Sequence, residues 1–526
     1  MASINEKLAA SLKVLLAIQE RGFAVINAAS HPALSRAHRE RLLRAGFLQP
    51  IIKGWYLPDN PATSTGDSTQ WFAHMDAFVA AYANSRFGAA WQLTPETSLL
   101  RQGGHTSVLK QIQIHAPNAN NQVVGLGHGC SIFLYRVEPA SLSGRALVDA
   151  QGLRVLPPEE AILRVGPSFF VQHQLTAQII LRRLDMPALA RQLLESGSPV
   201  IGGRMAAALL AAGRNDESKQ LKKTLKTAGI AIIEQDPFTG PLPFIGGGER
   251  ESPYAQRIRT MWASMRDPAG TIFEAVPQHT FKNLDAMMAD IEARYVADAY
   301  HSLSIEGYKV SEDLIERVRS GAWNPVANAQ DQDFRDAMAA KGYFDAHARV
   351  TALIRKTLTS SRNAGEALRK DFPDWYATLF SPSVAAGILK PGDLAGYRST
   401  QVYIRNAQHV PPPPEAVRDC MPALFDLISG EIQAGVRAVL GHFIFVFVHP
   451  YLDGNGRLGR FLMNTLLTTG GYPWLVMPVQ RRAHYMSALE QASTHGNIEP
   501  FAKLIAELLI AQAGQLPTRT ARRSRR

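Results

Sequence analysis

Cysteine is almost missing from this chain of 526 residues: Cys130 and Cys420 are the only two, too far apart to indicate a disulfide framework or a zinc site. Also missing is an apolar run of the roughly 20 residues that a bilayer requires. The purest such run, Phe443 to Val448, is cut off by His449 and Pro450. No secretory signal opens the chain either, since Leu8 to Ile18 is interrupted by Lys13 and lacks a cleavage site. The expected compartment is therefore the cytoplasm, with no membrane partner. Acidic residues are the scarcer charge, 45 against 56 basic ones, for a net charge of +11. That excess leans toward an acidic partner such as nucleic acid. Much of it, however, is Arg519, Arg522, Arg523, Arg525 and Arg526, which read as a solvated, disordered tail over 515–526. With domains of about 50–250 residues, this length implies two to four of them.

What is present is concentrated between Gly441 and Asn464, GHFIFVFVHPYLDGNGRLGRFLMN. The apolar run predicts a buried helix that delivers His449 and then breaks, because Pro450 and the turn-formers Asp453 to Gly456 follow. From Arg457 to Leu467 a helical pattern resumes. A glycine-rich loop thus opens a helix N-terminus, where free amides and the macrodipole favour a bound phosphate. Gly454 and Gly456 let the backbone approach phosphate oxygens. Asp453 is a hard oxygen ligand suited to the Mg2+ that accompanies a nucleotide, and Asn455 can donate to a phosphate oxygen. Arg457 and Arg460 can neutralise the remaining charge. His449 is left to handle a proton.

The run His449-Pro450-Tyr451-Leu452-Asp453-Gly454-Asn455-Gly456-Arg457-Leu458-Gly459-Arg460 resembles the signature of the Fic family, H-P-F-x-D/E-G-N-G-R-x-x-R, with Tyr451 replacing Phe. The resemblance implies a mostly helical catalytic fold with a small hairpin flap, and transfer of AMP from ATP to a Ser, Thr or Tyr hydroxyl of a protein, the chain itself included. His449 would be the base, Asp453 would hold Mg2+, Asn455 and the loop amides the α-phosphate, and Arg457 and Arg460 the outer phosphates. Leu284 to His301 predicts a helix leading into Ser302-Leu303-Ser304-Ile305-Glu306-Gly307. This sequence is similar to the family's inhibitory motif S/T-x-x-x-E-G/N, which implies that Glu306 pairs with Arg460 and misplaces the triphosphate. In some relatives the same glutamate positions a water that removes the modification.

Between the two motifs, Arg398, Val402, Tyr403 and Ile404, followed by Pro411 to Pro414, predict a short exposed strand resembling the Fic flap that registers a target peptide. Trp474, Pro478, Arg481, Tyr485 and Leu489 resemble the closing helices, with Tyr485 near the base.

The N-terminal part predicts a separate organisation. Leu8 to Ile18 forms a helix, Ala24 to Ser30 a short helix, Ser35 caps Arg36 to Ala45, and Phe47 to Leu57 makes two strands around Lys53-Gly54. The order is similar to a winged helix of bacterial regulators and abortive-infection antitoxins. Arg36, Arg39, Arg41, Arg44 and Lys53 would then meet DNA phosphates, with no base-reading Asn or Gln among them. The alternative reading is a solvated helix face on a protein-docking module. Pro58 to Ser68 reads as a linker. The following stretch predicts helices at Trp71 to Arg86, Leu175 to Ser196 and Ser218 to Ala228, and strands at Gln111 to His115 and Ser131 to Val137. It resembles the middle domain of the same antitoxin-like proteins. His105, His115, His128 and His173 are too scattered to suggest a metal site.

The expected domains are thus a winged-helix-like 1–60, a mixed α/β 69–245 bounded by Gly246-Gly247-Gly248, and a helical catalytic 249–514 that includes 284–307. The fold class is mainly α. Two other functions stay open, a DNA-binding regulator or antitoxin with the Fic half as sensor, and a Fic enzyme using another phosphate-containing donor. Whether the chain forms oligomers is open as well.

Overall fold

A computed structural model of the protein describes residues 4–59, 69–240, 242, 251–279, 281–323, 334–360 and 363–513. The glycine boundary, most of the linker and the basic tail lie outside the described residues. The chain is mainly helical and divides into two units, Met1–Leu242 with Tyr403–Val410, and Pro243–Val402 with Pro411–Arg526.

The first unit begins with α1 (Ile4–Gln19), β1 (Ile26–Asn27), α2 (Arg36–Arg44), β2 (Leu48–Ile52) and β3 (Trp55–Pro58). Ser35 starts α2 by accepting from the His38 amide at 3.4 Å. The strands form an antiparallel sheet in the order β1-β3-β2, with Ile26 opposite Tyr56 and Gln49 opposite Leu57. Leu15, Ile18, Leu34, Leu42 and Leu48 make its core. The short helix expected at Ala24 to Ser30 is instead β1, because the β-branched Ile26 is fully buried against that core.

Next come α3 (Thr69–Phe87), β4 (Gln92–Leu93), α4 (Pro95–Gln102), β5 (Gln111–Ala116), β6 (Gln122–Gly125) and β7 (Ser131–Arg136). Their sheet runs β4-β5-β7-β6, with β5 and β7 parallel and Ile112 opposite Ile132. The pair β8 (Leu147–Val148) and β9 (Arg154–Val155) leads into a helical cluster of α5 (Pro158–Arg164), α6 (Pro167–Gln172), α7 (Gln174–Arg183), α8 (Met186–Ser196), α9 (Pro199–Ala211) and α10 (Asn215–Thr227). The single helix expected over Leu175 to Ser196 is thus two. Leu184 turns extended, and Asp185 caps α8 by accepting from the Ala188 amide at 2.8 Å.

Tyr403–Val410 also falls in this unit, and part of it makes a short antiparallel contact. Val108 N donates to the Gln408 carbonyl at 2.9 Å, Val410 N donates to the Thr106 carbonyl at 2.6 Å, and Ser107 bridges His409 between them.

The second unit contains α11 (Pro253–Phe273), α12 (Leu284–Ile305), α13 (Glu312–Arg319), α14 (Phe334–Ser360), α15 (Ala364–Ala385), α16 (Pro414–Gly430), α17 (Ala434–Val448), α18 (Asn455–Thr469), α19 (Arg482–His495) and α20 (Glu499–Ala513). Twelve of the residues of α17 are buried, as its apolar sequence demands. Among the described residues no helix is long and apolar enough to cross a membrane. Helix α12 runs four residues beyond the expected His301, so Ser302 to Ile305 complete its last turn and Glu306 is its C-cap, with Gly307 at φ +89° closing it.

Candidate active site

The turn between α17 and α18 takes its shape from two left-handed residues. His449 is the C-cap of α17 at φ +51°, and Gly454 is the N-cap of α18 at φ +80°. A Cβ on Gly454 would stand 2.7 Å from the Phe380 ring, so glycine is required there for space as well as for conformation. Asn455 laces the turn shut: its Oδ1 accepts from the Tyr451 amide at 3.0 Å, and its Nδ2 donates to the Tyr451 carbonyl at 2.9 Å. Asn455 is 2% exposed, and its side chain thereby ties the two ends of the turn together. Tyr451 replaces the expected phenylalanine without loss of packing, because its ring stacks on Tyr376 at 4.0 Å between centroids.

His449 Nδ1 lies 3.4 Å from the Val446 carbonyl. A carbonyl only accepts, so Nδ1 carries the hydrogen and Nε2 keeps its lone pair. Burial drives the imidazole pKa down to about 4, the Val446 carbonyl opposes this, Arg398 adds to it, and Glu306 and Asp453 oppose it. Around neutral pH the ring is therefore an unprotonated base.

Asp453 Oδ1 accepts from the Gly454 amide at 2.6 Å, and Oδ2 accepts from Arg457 Nη2 at 3.2 Å. Its side chain is 65% exposed, whereas Arg457 is 1% exposed and held between the rings of Tyr308 and Phe380, 5.0 Å from each centroid. Its guanidinium thus braces Asp453 and lies against the two rings.

Arg460 is also buried, and it meets the end of α12. Its Nε donates to Ser302 Oγ at 2.8 Å, and its Nη2 donates to the Ser302 carbonyl at 3.0 Å and to Glu306 Oε1 at 2.7 Å. Burial works against this charge, yet Glu306 and Tyr485 outweigh it and hold the guanidinium above its ordinary pKa. The Glu306 carboxylate also stands over Gly456, where an added Cβ would be 2.0 Å from Oε1. A carboxylate thus occupies the first turn of α18, the position where its free amides favour an anion.

Tyr485, expected near the base, makes its hydrogen bond to another histidine. Its hydroxyl is 2.8 Å from His442 Nε2, deep in the core beside Arg460, and burial raises its pKa to about 12. His442, buried on α17, escaped sequence reasoning because a histidine in an apolar helix carries no distinguishing pattern. Arg482 was also missed, although its Nε donates to the Ile305 carbonyl at 2.7 Å and so ties down the end of α12.

The flap reading is corrected. Residues 401–404 form no strand, and Val402, Tyr403 and Ile404 are half-buried. Gln401 Nε2 donates to the carbonyls of Val402 and Pro411, at 3.0 and 2.9 Å, and Pro411 to Pro414 have no N–H to extend a ladder. Arg398 is buried and turned onto the carbonyl of His449.

The basic set of α2 does not form a shared free face. Arg39 Nη1 donates to the Leu34 carbonyl and Arg41 Nη1 donates to Ser11 Oγ, whereas Arg36, paired with Glu40, and Arg44 and Lys53 are exposed.

Among the described residues, no cluster of three or more His, Cys, Asp or Glu could hold a metal ion by itself. The exposed Asp453 carboxylate fits Mg2+ of the kind held by one carboxylate together with phosphate oxygens and water.

The second unit is therefore a helical domain in which a buried, unprotonated histidine stands at the turn before a helix start, with the Glu306 carboxylate lying over that start. Residues 369–467 match the model of the Fic/DOC family. The chain is 40% identical over 124 residues to the protein adenylyltransferase Fic of Nematostella vectensis and 38% identical over 125 residues to that of Drosophila willistoni, 23% of this chain in each case. These matches span 28% and 24% of the relatives' own lengths, about a quarter. A longer match, 29% identical over 262 residues, covers 46% of this chain and 48% of the Culex quinquefasciatus protein adenylyltransferase Fic. Among solved structures, Fic-1 (aa134 - 508) from C. elegans covers 68% of this chain and 90% of its own at 18% identity, with a TM-score of 0.37. The family and sequence matches support the Fic family for this part of the chain.

Proposed function

We propose that this chain is a protein adenylyltransferase that restrains itself through Glu306. One observation carries the reading: the Glu306 carboxylate holds Arg460 at 2.7 Å and stands over Gly456 at the anion-binding start of α18. ATP is the donor, and a protein hydroxyl, on a target or on this chain, is the acceptor. His449 Nε2 takes the hydroxyl proton while the oxygen bonds to the α-phosphorus. The phosphoanhydride bond to the β-phosphate breaks, and pyrophosphate leaves. The amides of Gly456 and its neighbours receive the phosphate charge, and Arg460 takes the γ-phosphate once Glu306 releases it. Asp453 would hold Mg2+, which neutralises the leaving charge. While Glu306 remains in place, the triphosphate cannot reach Arg460, and the α-phosphorus stays out of line for attack.

The test incubates the wild type, Glu306→Gly and Glu306→Gly/His449→Ala with ATP and Mg2+ and reads intact mass. Addition of one AMP by Glu306→Gly above wild type, lost with His449→Ala, supports the reading. Equal labelling of the double variant removes His449 as the base. A different added mass points to another donor.

A further inference from the structure

We infer that Arg398 is the positioning residue for His449, a guanidinium that fastens the end of α17 to the segment before α16 and thereby fixes where the imidazole stands. This rests on reading His449 as the base. Arg398 is 4% exposed. Its Nε donates to the His449 carbonyl at 2.8 Å, its Nη1 donates to the Thr400 carbonyl at 2.9 Å, and its Nη2 donates to the carbonyls of Pro412 and, at 3.5 Å, Val448. Its own backbone N–H donates to the Pro450 carbonyl at 2.9 Å. Arg398 therefore binds three consecutive carbonyls, one before His449, its own and one after.

Those carbonyls need donors, because the last turn of a helix leaves its carbonyls without partners. A cation is also favoured at that end by the helix dipole. The left-handed backbone of His449 gives a second reason. A bulky residue keeps such a conformation only where its surroundings hold it from several sides, and Arg398 holds the peptide groups on both sides of it. Five donors in a planar fork can do this, whereas the single ammonium of lysine cannot reach carbonyls lying in different directions.

The same charge acts on the imidazole. Arg398 disfavours protonation of His449, in the same direction as burial and against Glu306, Asp453 and the Val446 carbonyl. Arg398 thus has two separable effects, one of geometry and one of charge. Arg398→Lys retains the charge and loses the fork, and Arg398→Met loses both.

The test places each substitution in the full Glu306→Gly chain. The His449 Cε1–H resonance, assigned through His449→Ala, is titrated by NMR, and AMP transfer from ATP is followed at saturating and limiting ATP. In Arg398→Met the His449 midpoint should rise from about 4 toward the ordinary 6.5, and kcat should fall about tenfold or more with KM for ATP little changed. In Arg398→Lys the midpoint should stay low while kcat still falls. Unchanged midpoint and kcat in folded Arg398→Met overturn the assignment. If that variant does not fold, kcat in Arg398→Lys equal to its parent overturns it as well. Should the Glu306→Gly parent transfer nothing, the adenylyltransferase reading fails, while the resonance still decides whether Arg398 governs His449.

Discussion

Arg460 Nη2 is shared between Glu306 Oε1 at 2.7 Å and the Ser302 carbonyl at 3.0 Å, so one nitrogen joins the end of α12 to the first turns of α18. The Arg460 side chain is 3% exposed and that of Glu306 is 26% exposed. Removing the acid strands a buried cation. Breaking a fully buried pair costs about 3–5 kcal/mol, and since Ser302 still binds Arg460, a loss of about 2 kcal/mol is expected for Glu306→Gly. The gap it leaves suits an anion. Thermal unfolding should show a lower Tm for Glu306→Gly without nucleotide, and a larger rise on adding ATP than in wild type. Equal Tm values and equal responses would contradict the anion-site reading of Arg460.

Gly456 provides an independent probe of the same space. A Cβ there meets Glu306 Oε1 at 2.0 Å and Arg460 Nη1 at 3.2 Å. Both are far ends of flexible side chains, so Gly456→Ala should fold, with a Tm lowered about as far as in Glu306→Gly because the methyl group pushes Glu306 off Arg460. The methyl group would, however, stand where a phosphate oxygen must approach the amides. Adding Gly456→Ala to Glu306→Gly should therefore abolish AMP transfer, read by intact mass, rather than increase it. Transfer surviving in the double variant would place the phosphates elsewhere.

Legibility in the sequence followed from how local the determinants are. The turn from His449 to Gly456 was readable because a proline, two glycines and an asparagine leave the backbone few options. Glu306 was paired with Arg460 through resemblance, since nothing between positions 306 and 460 encodes a contact. The surroundings of Arg457 and Arg398 were not legible, for one reason. Composition shows that an arginine is present, but whether it faces solvent, two aromatic rings or a set of carbonyls depends on packing. The expected strand at Val402 to Ile404 had suitable β-branched and aromatic residues, yet a strand needs a partner ladder, and the Gln401 side chain and the prolines leave none. Ile26 failed in the opposite sense, as its small neighbours suggested helix while its pairing with Tyr56 lies far along the chain.

Acid should destabilise the fold. Burial lowers the pKa of His347, His442 and His449 to about 4, so all three stay neutral in the native chain while the unfolded chain protonates them below about 6.5. Their contribution is complete above pH 6.5 and is lost as the pH falls toward 4. Asp298 has the opposite sign: burial raises its pKa to about 6, so its contribution is complete below 3.8 and is lost as the pH rises through 6. Three histidines outweigh one carboxyl, and a net loss of roughly 5 kcal/mol between pH 7 and 4.5 is expected. Urea unfolding at the two pH values measures it, and His347→Leu should flatten the dependence. Equal or greater stability at pH 4.5 would mean that these rings are not held neutral.

Arg457 and Asp453 form a pair in which the two partners matter for different reasons. The guanidinium is enclosed between Tyr308 and Phe380, and a desolvated cation over an aromatic face is worth about 2 kcal/mol. The Asp453 side chain is 65% exposed, so its ion pair with Arg457 contributes no more than about 1 kcal/mol. Arg457→Met should therefore lower stability by about 2–4 kcal/mol, and Asp453→Asn by much less. Function should rank them the other way: in the Glu306→Gly background, Asp453→Asn should raise the Mg2+ concentration needed for half-maximal AMP transfer while leaving Tm nearly unchanged. Denaturation and a Mg2+ titration of both variants separate the two roles. If Asp453→Asn costs more stability than Arg457→Met, the carboxylate rather than the ring pair anchors this arginine, and Asp453 is structural instead of the metal-holding group.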